Sequence, residues 1–293
     1  MIAHTGNDTM YTRKLLAQAL QTVAAFVLVG GCATPAQRMA PTSAAVVGEF
    51  RPGLLNGYLS PADLPDSLAL LAAPPAQDSA AKASDVATYH ELTALQATAR
   101  GALAVRDANL ELPGATAAFA CALGVPISEA ETPNLNMLME RTLTDAVRAS
   151  SKAKEKYQRK RPFAEFNAPS CTPAEESYLR TNGSYPSGHS TIGWLWALTL
   201  IEVSPERADA LLQRGRAFGQ SRGICGVHWK SDIEAGRIMG AATFARLQTN
   251  EVFSAQLNAA RAEVAKERTQ GAKPREDCAA EASALAASNS LAP

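Results

Sequence analysis

The sequence has no surplus of charge and few aromatic residues. Its 293 residues include 28 Lys and Arg against 28 Asp and Glu, and only 6% are aromatic. A balanced charge argues against a general nucleic-acid-binding protein, which needs a basic surplus to displace counterions, and against a polybasic membrane-surface protein. Few aromatic residues and abundant Ala favour closely packed helices over a β-sandwich.

Long apolar runs are also missing from the body of the chain. No stretch there reaches the ~20 continuous apolar residues of a membrane span, which excludes a multi-span membrane protein. The sequence also lacks an internal repeat, a Gly-rich nucleotide loop and the spacing of zinc ligands. Its composition, with 46% hydrophobic and 19% charged residues, suffices for a buried core and excludes global disorder.

The N-terminus has the features of an export signal. Arg13 and Lys14 precede an apolar run that ends at Gly31 and is too short for a comfortable transmembrane helix. Small residues directly before Cys32 resemble a lipoprotein signal, in which the Cys thiol is lipidated. We predict a signal peptide over 1–31 and a periplasmic protein that lipidated Cys32 anchors in the outer membrane. The alternative is a plain secretory signal cut a few residues later.

Four cysteines remain in the predicted mature chain beyond Cys32. An even number in an oxidising compartment predicts two disulfides, for which three connectivities are possible. We favour Cys171 with Cys225, and Cys121 with Cys278, because the first pair flanks the segments that carry the candidate chemistry. The alternative, four free buried thiols, suits an oxidising compartment less well.

The rest of the chain divides into a tether, a helical body and a tail. Residues 32–80 are rich in Ala, Pro and Ser and predict an extended tether that packs partly on the domain. Over 81–270 apolar residues recur every three or four positions, which predicts helices. Thr191 to Val203 is apolar almost all round and should form a central buried helix. Residues 271–293 form an Ala/Ser-rich tail with little to bury.

Three of the helical stripes have unusual members. Gly236 and Gly240 lie on one apolar face, where they permit close helix approach. Lys154 continues the stripe that begins at Leu135, and Arg222 lies on another apolar face. A buried cation is costly unless an anion compensates it. Each cation alone is explained by snorkelling or by a structural carboxylate, whereas both together indicate a pocket for an anionic ligand.

Three segments carry the candidate chemistry. As patterns they read K-x6-RP, PSGH and SR-x5-H-x3-D, separated by 23 and 31 residues. Their candidate site residues are Lys154, Arg161, Ser187, Gly188, His189, Arg222, His228 and Asp232. The Lys and the two Arg supply three cations for a dianion, and arginine binds oxyanions bidentately.

The local sequence also predicts how these side chains are presented. Pro162 forces Arg161 into an extended conformation. Ser187 has the position of a helix N-cap, so the backbone N–H groups of the next two residues would face an anion. Asp232, four residues after His228, can hold one imidazole nitrogen and fix the tautomer. The set as a whole favours phosphoryl chemistry.

The motifs resemble the signature of the superfamily of acid phosphatases, type 2 phosphatidic acid phosphatases and vanadium haloperoxidases. Their flanks, 157–163, 182–189 and 219–232, closely resemble the soluble class A bacterial nonspecific acid phosphatases, and the likeness covers roughly residues 58–265. The predicted lipid anchor departs from the freely secreted form of that class.

The resemblance implies an all-α fold with a single helical-bundle domain. It implies that His228 is the nucleophile that forms a phosphohistidine, that Asp232 orients it, and that His189 protonates the leaving alcohol. The implied phosphate cradle consists of Lys154, Arg161, Ser187, Gly188 and Arg222. The implied function is an exported acid phosphatase that acts on many phosphate monoesters and also transfers phosphate to alcohols. Neither a cofactor nor a metal is required.

Three other functions share parts of this pattern. A vanadate-dependent haloperoxidase would use the same cradle, but the short spacing and the flanks argue against it. A lipid phosphatase is disfavoured by the lack of spanning helices, and a non-catalytic surface lipoprotein by the intact set of site residues. No nucleic-acid partner is expected, and the membrane is a partner only through the anchor. The sequence leaves the substrate and the oligomeric state open, a homo-oligomer included.

Overall fold

The computed structural model describes residues 40–112 and 114–288, and Cys32 and the predicted signal lie outside them. Most regular structure in the described residues is helical, which confirms the predicted all-α class. One two-stranded antiparallel ribbon pairs β1 (Glu49–Arg51) with β2 (Leu54–Leu55). The α-helices are α1 Ala44–Val47, α2 Ser67–Leu70, α3 Ala80–Thr93, α4 Ala99–Ala108, α5 Ala120–Leu123, α6 Pro133–Ala149, α7 Ser151–Tyr157, α8 Pro162–Glu165, α9 Glu176–Thr181, α10 Gly188–Val203, α11 Ala208–Ile224, α12 Lys230–Leu247, α13 Glu251–Thr269 and α14 Cys278–Ala286. Short 3₁₀ helices cover Gly114–Phe119, Pro173–Glu175 and Pro205–Arg207.

Helix α10 is the centre of the bundle, as its apolar sequence predicts. It packs against α6, α11, α12 and α13, and its Leu195 and Trp196 side chains are fully buried. The indole Nε1 of Trp196 donates to the carbonyl of Met139 at 2.9 Å. Among the described residues, none of the helices is both long and apolar enough for a membrane span.

Two glycines bring α12 close to α10, as their position on an apolar face predicts. A Cβ at Gly236 would lie 2.5 Å from the carbonyl oxygen of Ser187, and a Cβ at Gly240 would lie 2.7 Å from that of Thr191. No side chain larger than hydrogen fits at those distances. The contact sets the start of α12 beside the start of α10, where the second and third motifs lie.

The predicted tether contributes to the core between residues 54 and 59. Leu55, Tyr58 and Leu59 are buried. The backbone N–H groups of Tyr58 and Leu59 donate to the carboxylate of Asp145 on α6 at 2.9 and 3.1 Å. These two hydrogen bonds hold the segment against α6.

The C-terminal tail differs from the expectation of a segment with little to bury. A disulfide joins Cys278, the first residue of α14, to Cys121, and the second disulfide joins Cys171 to Cys225, which is the connectivity favoured from the sequence. Glu281 is buried, and Ser288 Oγ accepts a hydrogen bond from Arg100 Nε at 2.6 Å. The tail is anchored by polar contacts, which a search for apolar periodicity does not detect.

Candidate active site

The three motifs meet at the N-terminal end of α10. Lys154 comes from α7, Arg161 precedes α8, and Arg222 lies near the end of α11. The first and third motifs touch through Arg161 and His228, and the second and third through Ser187 N–H, which donates to the carbonyl of Asp232 at 2.9 Å. A Cβ on Gly188 would lie 3.9 Å from Lys154 Cε. The structure therefore brings all eight predicted catalytic and phosphate-binding residues together.

One prediction about Lys154 needs correction. The stripe from Leu135 through Lys154 suggested one continuous helix, but α6 ends at Ala149 and α7 begins at Ser151. Ser150 between them has φ −89° and ψ −6°. The break separates Lys154 from the core-facing side chains of α6, so this lysine points to the site and not to the centre of the bundle. Its Nζ donates to the carbonyl of Gly183 at 3.0 Å.

His228 is held in one tautomer by two neighbours. It is 3% exposed. Its Nε2 lies 3.0 Å from Arg161 Nη1, and its Nδ1 lies 3.3 Å from Asp232 Oδ2. A guanidinium has only donors, so Nε2 carries the lone pair and the Nδ1 proton points to the carboxylate. Burial and the nearby cations Arg161, Lys154 and Arg222 lower the pKa of His228 well below its usual value, which keeps Nε2 unprotonated.

Arg161 is fixed by carbonyl oxygens and not by a carboxylate. It is extended, with φ −77° and ψ 151°, as Pro162 predicts. Its Nε donates to Leu179 O at 2.9 Å, and its Nη1 donates to Val227 O at 3.0 Å. Burial and the charge of Arg222 lower the pKa of Arg161 to about 10. Burial and the neighbouring guanidinium of Arg161 also lower the pKa of Lys154, to about 7.

Arg222 has donors that nothing satisfies in the described part of the chain. Its side chain is 1% exposed, and its Nη2 lies 3.5 Å from Glu175 Oε2. Its Nε and Nη1 are buried without a hydrogen-bond partner. Burial lowers the pKa of Arg222. Unpaired buried guanidinium donors are costly, and a bound oxyanion would satisfy them.

His189 lies in the first turn of α10, close to Arg222, His228 and Arg161. Its Nε2 lies 2.9 Å from the carbonyl oxygen of Ala108. A carbonyl only accepts, so Nε2 carries the proton and Nδ1 carries the lone pair of the neutral ring. The ring stacks on Phe218 with centroids 6.0 Å apart. Burial and the charge of Arg222 lower the pKa of His189 well below its usual value.

The start of α10 supplies backbone donors. Ser187 is the N-cap, as predicted, and its Oγ accepts from the N–H of Ser190 at 3.3 Å. The N–H groups in the first turn of a helix have no intrahelical partner and are suited to an anion. With three cations beside them, this arrangement can hold a tetrahedral oxyanion between two neutral imidazoles.

Comparisons with known proteins agree with this geometry. The model of the PAP2 superfamily matches residues 137–251, which contain all three motifs. A non-specific acid phosphatase of Providencia stuartii is 44% identical over 210 residues, which cover 71% of this chain and 85% of the relative. An acid phosphatase of Zymomonas mobilis is 41% identical over 209 residues, 71% of this chain and 79% of the relative.

A third relative, a non-specific acid phosphatase of Salmonella typhimurium, is 42% identical over 208 residues, which cover 71% of this chain and 83% of the relative. The chain belongs to the non-specific acid phosphatases of the PAP2 superfamily. The resemblance seen in the sequence to class A bacterial acid phosphatases is thereby confirmed.

This acid phosphatase family member also carries site residues that the sequence did not single out. Arg159 Nη1 donates to Asp232 Oδ1 at 2.5 Å, and its Nη2 donates to Asp85 Oδ2 at 2.6 Å. Arg159 lies within the first motif, but nothing distinguishes it from the adjacent Lys160. Asp85 is on α3, and only the fold brings it to the site.

The described residues of this family member offer no ready metal site. They contain no cluster of three or more His, Cys, Asp or Glu side chains that could hold a metal ion. The charged groups that surround the pocket are mostly cationic, and Asp232, the carboxylate in contact with His228, already bonds Arg159.

Proposed function

We propose that the protein is an exported acid phosphatase that hydrolyses phosphate monoesters through a phosphohistidine on His228. The observation that carries the proposal is the neutral, buried imidazole of His228, whose Nε2 lone pair faces Arg161. A nucleophile needs such a lone pair, and three cations without full carboxylate compensation suit a phosphate dianion. The names of the relatives support the phosphatase activity.

In the first step His228 Nε2 attacks phosphorus, and the bond from phosphorus to the ester oxygen breaks. His189 donates a proton to that oxygen, so the alcohol leaves neutral. The Nδ1 proton stays on His228, where the carboxylate of Asp232 stabilises the positive ring. Lys154, Arg161, Arg222 and the backbone N–H groups at the start of α10 stabilise the charge on the remaining phosphate oxygens.

In the second step water attacks the phosphohistidine, and the phosphorus–nitrogen bond breaks. His189, now unprotonated, takes a proton from the water. An alcohol in place of water would accept the phosphate instead, which accounts for a phosphotransferase side activity. The cations carry the charge stabilisation, so we propose that the reaction needs no metal and continues in excess chelator.

The two histidines favour catalysis in acid. Burial and the nearby cations lower the pKa of His228, which favours a neutral ring in acid, where most imidazoles are protonated. A bound phosphate dianion offsets these cations, so it raises the pKa of His189 and lets it hold the proton it must donate. Activity requires one imidazole neutral and the other protonated, so the pH profile is bell-shaped with its optimum below neutrality.

Export is the remaining part of the proposal. Two disulfides support it, because disulfides persist in oxidising compartments such as the periplasm. Lipidation at Cys32 stays a prediction and is tested by labelling with a radioactive fatty acid, which Cys32→Ser should abolish.

The mechanism is tested by trapping the intermediate from a ³²P-labelled substrate with acid or alkali. Wild type and His90→Ala, a change at an exposed histidine on α3, should carry phosphate that is labile in acid and stable in base. His228→Ala should carry none and should not turn over. Label on Ser187, or full activity in His228→Ala, would refute the assignment. Bromide oxidation with peroxide and vanadate would favour the haloperoxidase alternative.

A further inference from the structure

A buried chain of charges lies behind His228, and the mechanism above uses only its Asp232. The guanidinium of Arg159 bridges the carboxylates of Asp232 and Asp85 at 2.5 and 2.6 Å. The three side chains are 9%, 0% and 1% exposed. Ser231 closes the cluster, because its backbone N–H and its hydroxyl donate to Asp85 at 2.8 and 2.7 Å, and its hydroxyl also accepts from Arg159 Nη1 at 2.8 Å.

We propose that Arg159 and Asp85 are positioning residues that fix the Asp232 carboxylate and limit how strongly it stabilises a proton on His228. The proposal rests on the proposed role of His228 as the nucleophile. Neither residue touches the phosphate in this scheme, since both act through Asp232.

The two oxygens of Asp232 have separate partners. Oδ2 faces His228 Nδ1 at 3.3 Å and accepts the N–H of Trp229 at 2.8 Å, while Oδ1 accepts from Arg159. With both oxygens bonded, the carboxylate cannot rotate away from the imidazole. Arg159 also offsets the negative charge of Asp232, and Asp85 in turn offsets part of the charge of Arg159.

The balance matters because Asp232 opposes the other charges around His228. Several charged and titratable groups surround this imidazole and its carboxylate. Those nearest are Lys154, Arg159, Arg161, Tyr185, His189, Arg222 and Asp232. Asp85 and Glu175 lie next to the arginines, and the Lys82–Glu165 pair lies across Trp229. Asp232 is the anion in contact with the ring. Without Arg159 its full charge would favour a proton on Nε2, and a protonated Nε2 cannot attack phosphorus.

The chain is tested with Arg159→Met, Arg159→Lys and Asp85→Asn. Arg141→Met is the matched control, because Arg141 is also buried but donates to the carbonyls of Asn56 and Gly57, away from His228. Two quantities are measured for each protein, namely the pH dependence of p-nitrophenyl phosphate hydrolysis and the titration of the His228 imidazole by NMR of histidine-labelled protein. Loss of one signal in His228→Ala assigns it.

We expect Arg159→Met to move the acid limb of the rate profile and the His228 titration upward by about one pH unit, as an uncompensated nearby carboxylate does. Partners that orient a metal-bound imidazole are typically worth about 10–100-fold, and we expect kcat to fall by that order with little change in KM. Arg159→Lys keeps the charge, so it should lose kcat while its acid limb stays near that of wild type.

Asp85→Asn should also lower kcat, but its acid limb should stay in place or move down, because Arg159 is then less compensated. An upward shift in both Asp85→Asn and Arg159→Met, or in Arg141→Met, would show a general structural effect and overturn the proposal. So would an unchanged His228 titration in folded Arg159→Met. If that variant does not fold, an unchanged kcat in Asp85→Asn overturns the proposal. Wild-type protein without phosphatase activity would refute the proposed function, and the NMR titrations would still decide the role of Arg159.

Discussion

The neighbours of His228 and His189 suit these two histidines to opposite proposed roles. His228 has a donor at Nε2 and a carboxylate at Nδ1, so the proton stays on Nδ1 and the lone pair on Nε2, where Arg161 donates to it. His189 has a carbonyl at Nε2, so Nδ1 is left to hold and give up a proton. The proposed roles therefore follow from which atom each partner can donate to or accept from.

The roles predict a dependence on the leaving group. An alkyl alcohol needs a proton as its bond to phosphorus breaks, whereas p-nitrophenolate leaves unaided, and general acid help is worth roughly 10²–10⁴-fold. His189→Ala should therefore depress single-turnover cleavage of an alkyl phosphate far more than the burst of p-nitrophenol. His228→Ala should depress both alike. Equal losses in both assays for His189→Ala would show that His189 only shapes the cradle.

Lys154 should lower the stability of the protein without a ligand. Its pKa falls from 10.5 to about 7 on folding, so the unfolded chain binds the extra proton and stability is lost as pH falls from 10.5 to about 7. Lys154→Met should then raise Tm most below pH 7, with a gap to wild type that narrows as the pH rises toward 10. The variant should also lose the rise in Tm that vanadate gives wild type.

Thermal unfolding between pH 5 and pH 10, with and without vanadate, checks this prediction. The matched control is Lys152→Met, since Lys152 is an exposed lysine on the same helix that pairs with Asp66 at 2.9 Å. It should leave both the pH dependence and the vanadate effect unchanged. A Lys154→Met protein that is less stable than wild type at pH 6 would contradict the prediction that the buried charge of Lys154 destabilises the fold.

At the scale of elements, the packing of α12 on α10 sets the distance between the second motif and the third. In an exposed helix Gly→Ala stabilises by about 1 kcal/mol. At position 240 the added Cβ would lie 2.7 Å from Thr191 O, so we expect Gly240→Ala to destabilise by about 1–3 kcal/mol through overpacking. It should also lower kcat, because α12 carries Asp232.

Urea unfolding and steady-state kinetics on Gly240→Ala check this. Ala241→Gly is the matched control at an exposed neighbour on the same helix. It should lose about 1 kcal/mol of stability through helix propensity and keep its kcat. A Gly240→Ala protein as stable and as active as wild type would mean that α10 and α12 can move apart without loss of stability or of kcat.

The sequence predicts these elements unequally well. The N-cap at Ser187, the extended Arg161 and the central α10 follow from local signals, namely a capping residue, a following proline and an all-apolar run. The break at Ser150 has no such signal, because the apolar spacing continues across it. Arg159 and Asp85 meet across 74 positions of the chain, and a single sequence does not encode which distant charges become partners. Glu281 and Ser288 were missed for the same reason.

At the scale of the molecule, the two disulfides have different neighbours. Cys171–Cys225 joins the end of α11, just after Arg222, to the segment before Glu175, and so restrains two residues that pair with each other. Cys121–Cys278 fixes the tail, where Glu281 Oε1 lies 3.3 Å from Arg214 Nε. Arg214 also pairs with Asp107, which precedes the residue whose carbonyl holds His189. Residues 271–288 of the tail therefore support the site from a distance, and none of these described residues contacts the predicted site residues.

This difference predicts that the two disulfides affect separate properties. The cross-links span 157 and 54 positions, and chain entropy assigns them about 5 and about 4 kcal/mol. The paired change Cys121→Ser with Cys278→Ser should therefore lower the free energy of unfolding the more, while kcat/KM at 25 °C stays within a few-fold of wild type because the described part of the tail does not contact the predicted site residues. Cys171→Ser with Cys225→Ser should lower stability less but weaken vanadate binding and kcat/KM more, since Arg222 and Glu175 lose their shared restraint.

Urea unfolding and p-nitrophenyl phosphate kinetics on both variants measure the two properties. A tail variant that stays folded yet loses activity as strongly as the pocket variant would show that the contacts of Arg214 and Asp107 reach His189 directly, and would place the tail within the working site.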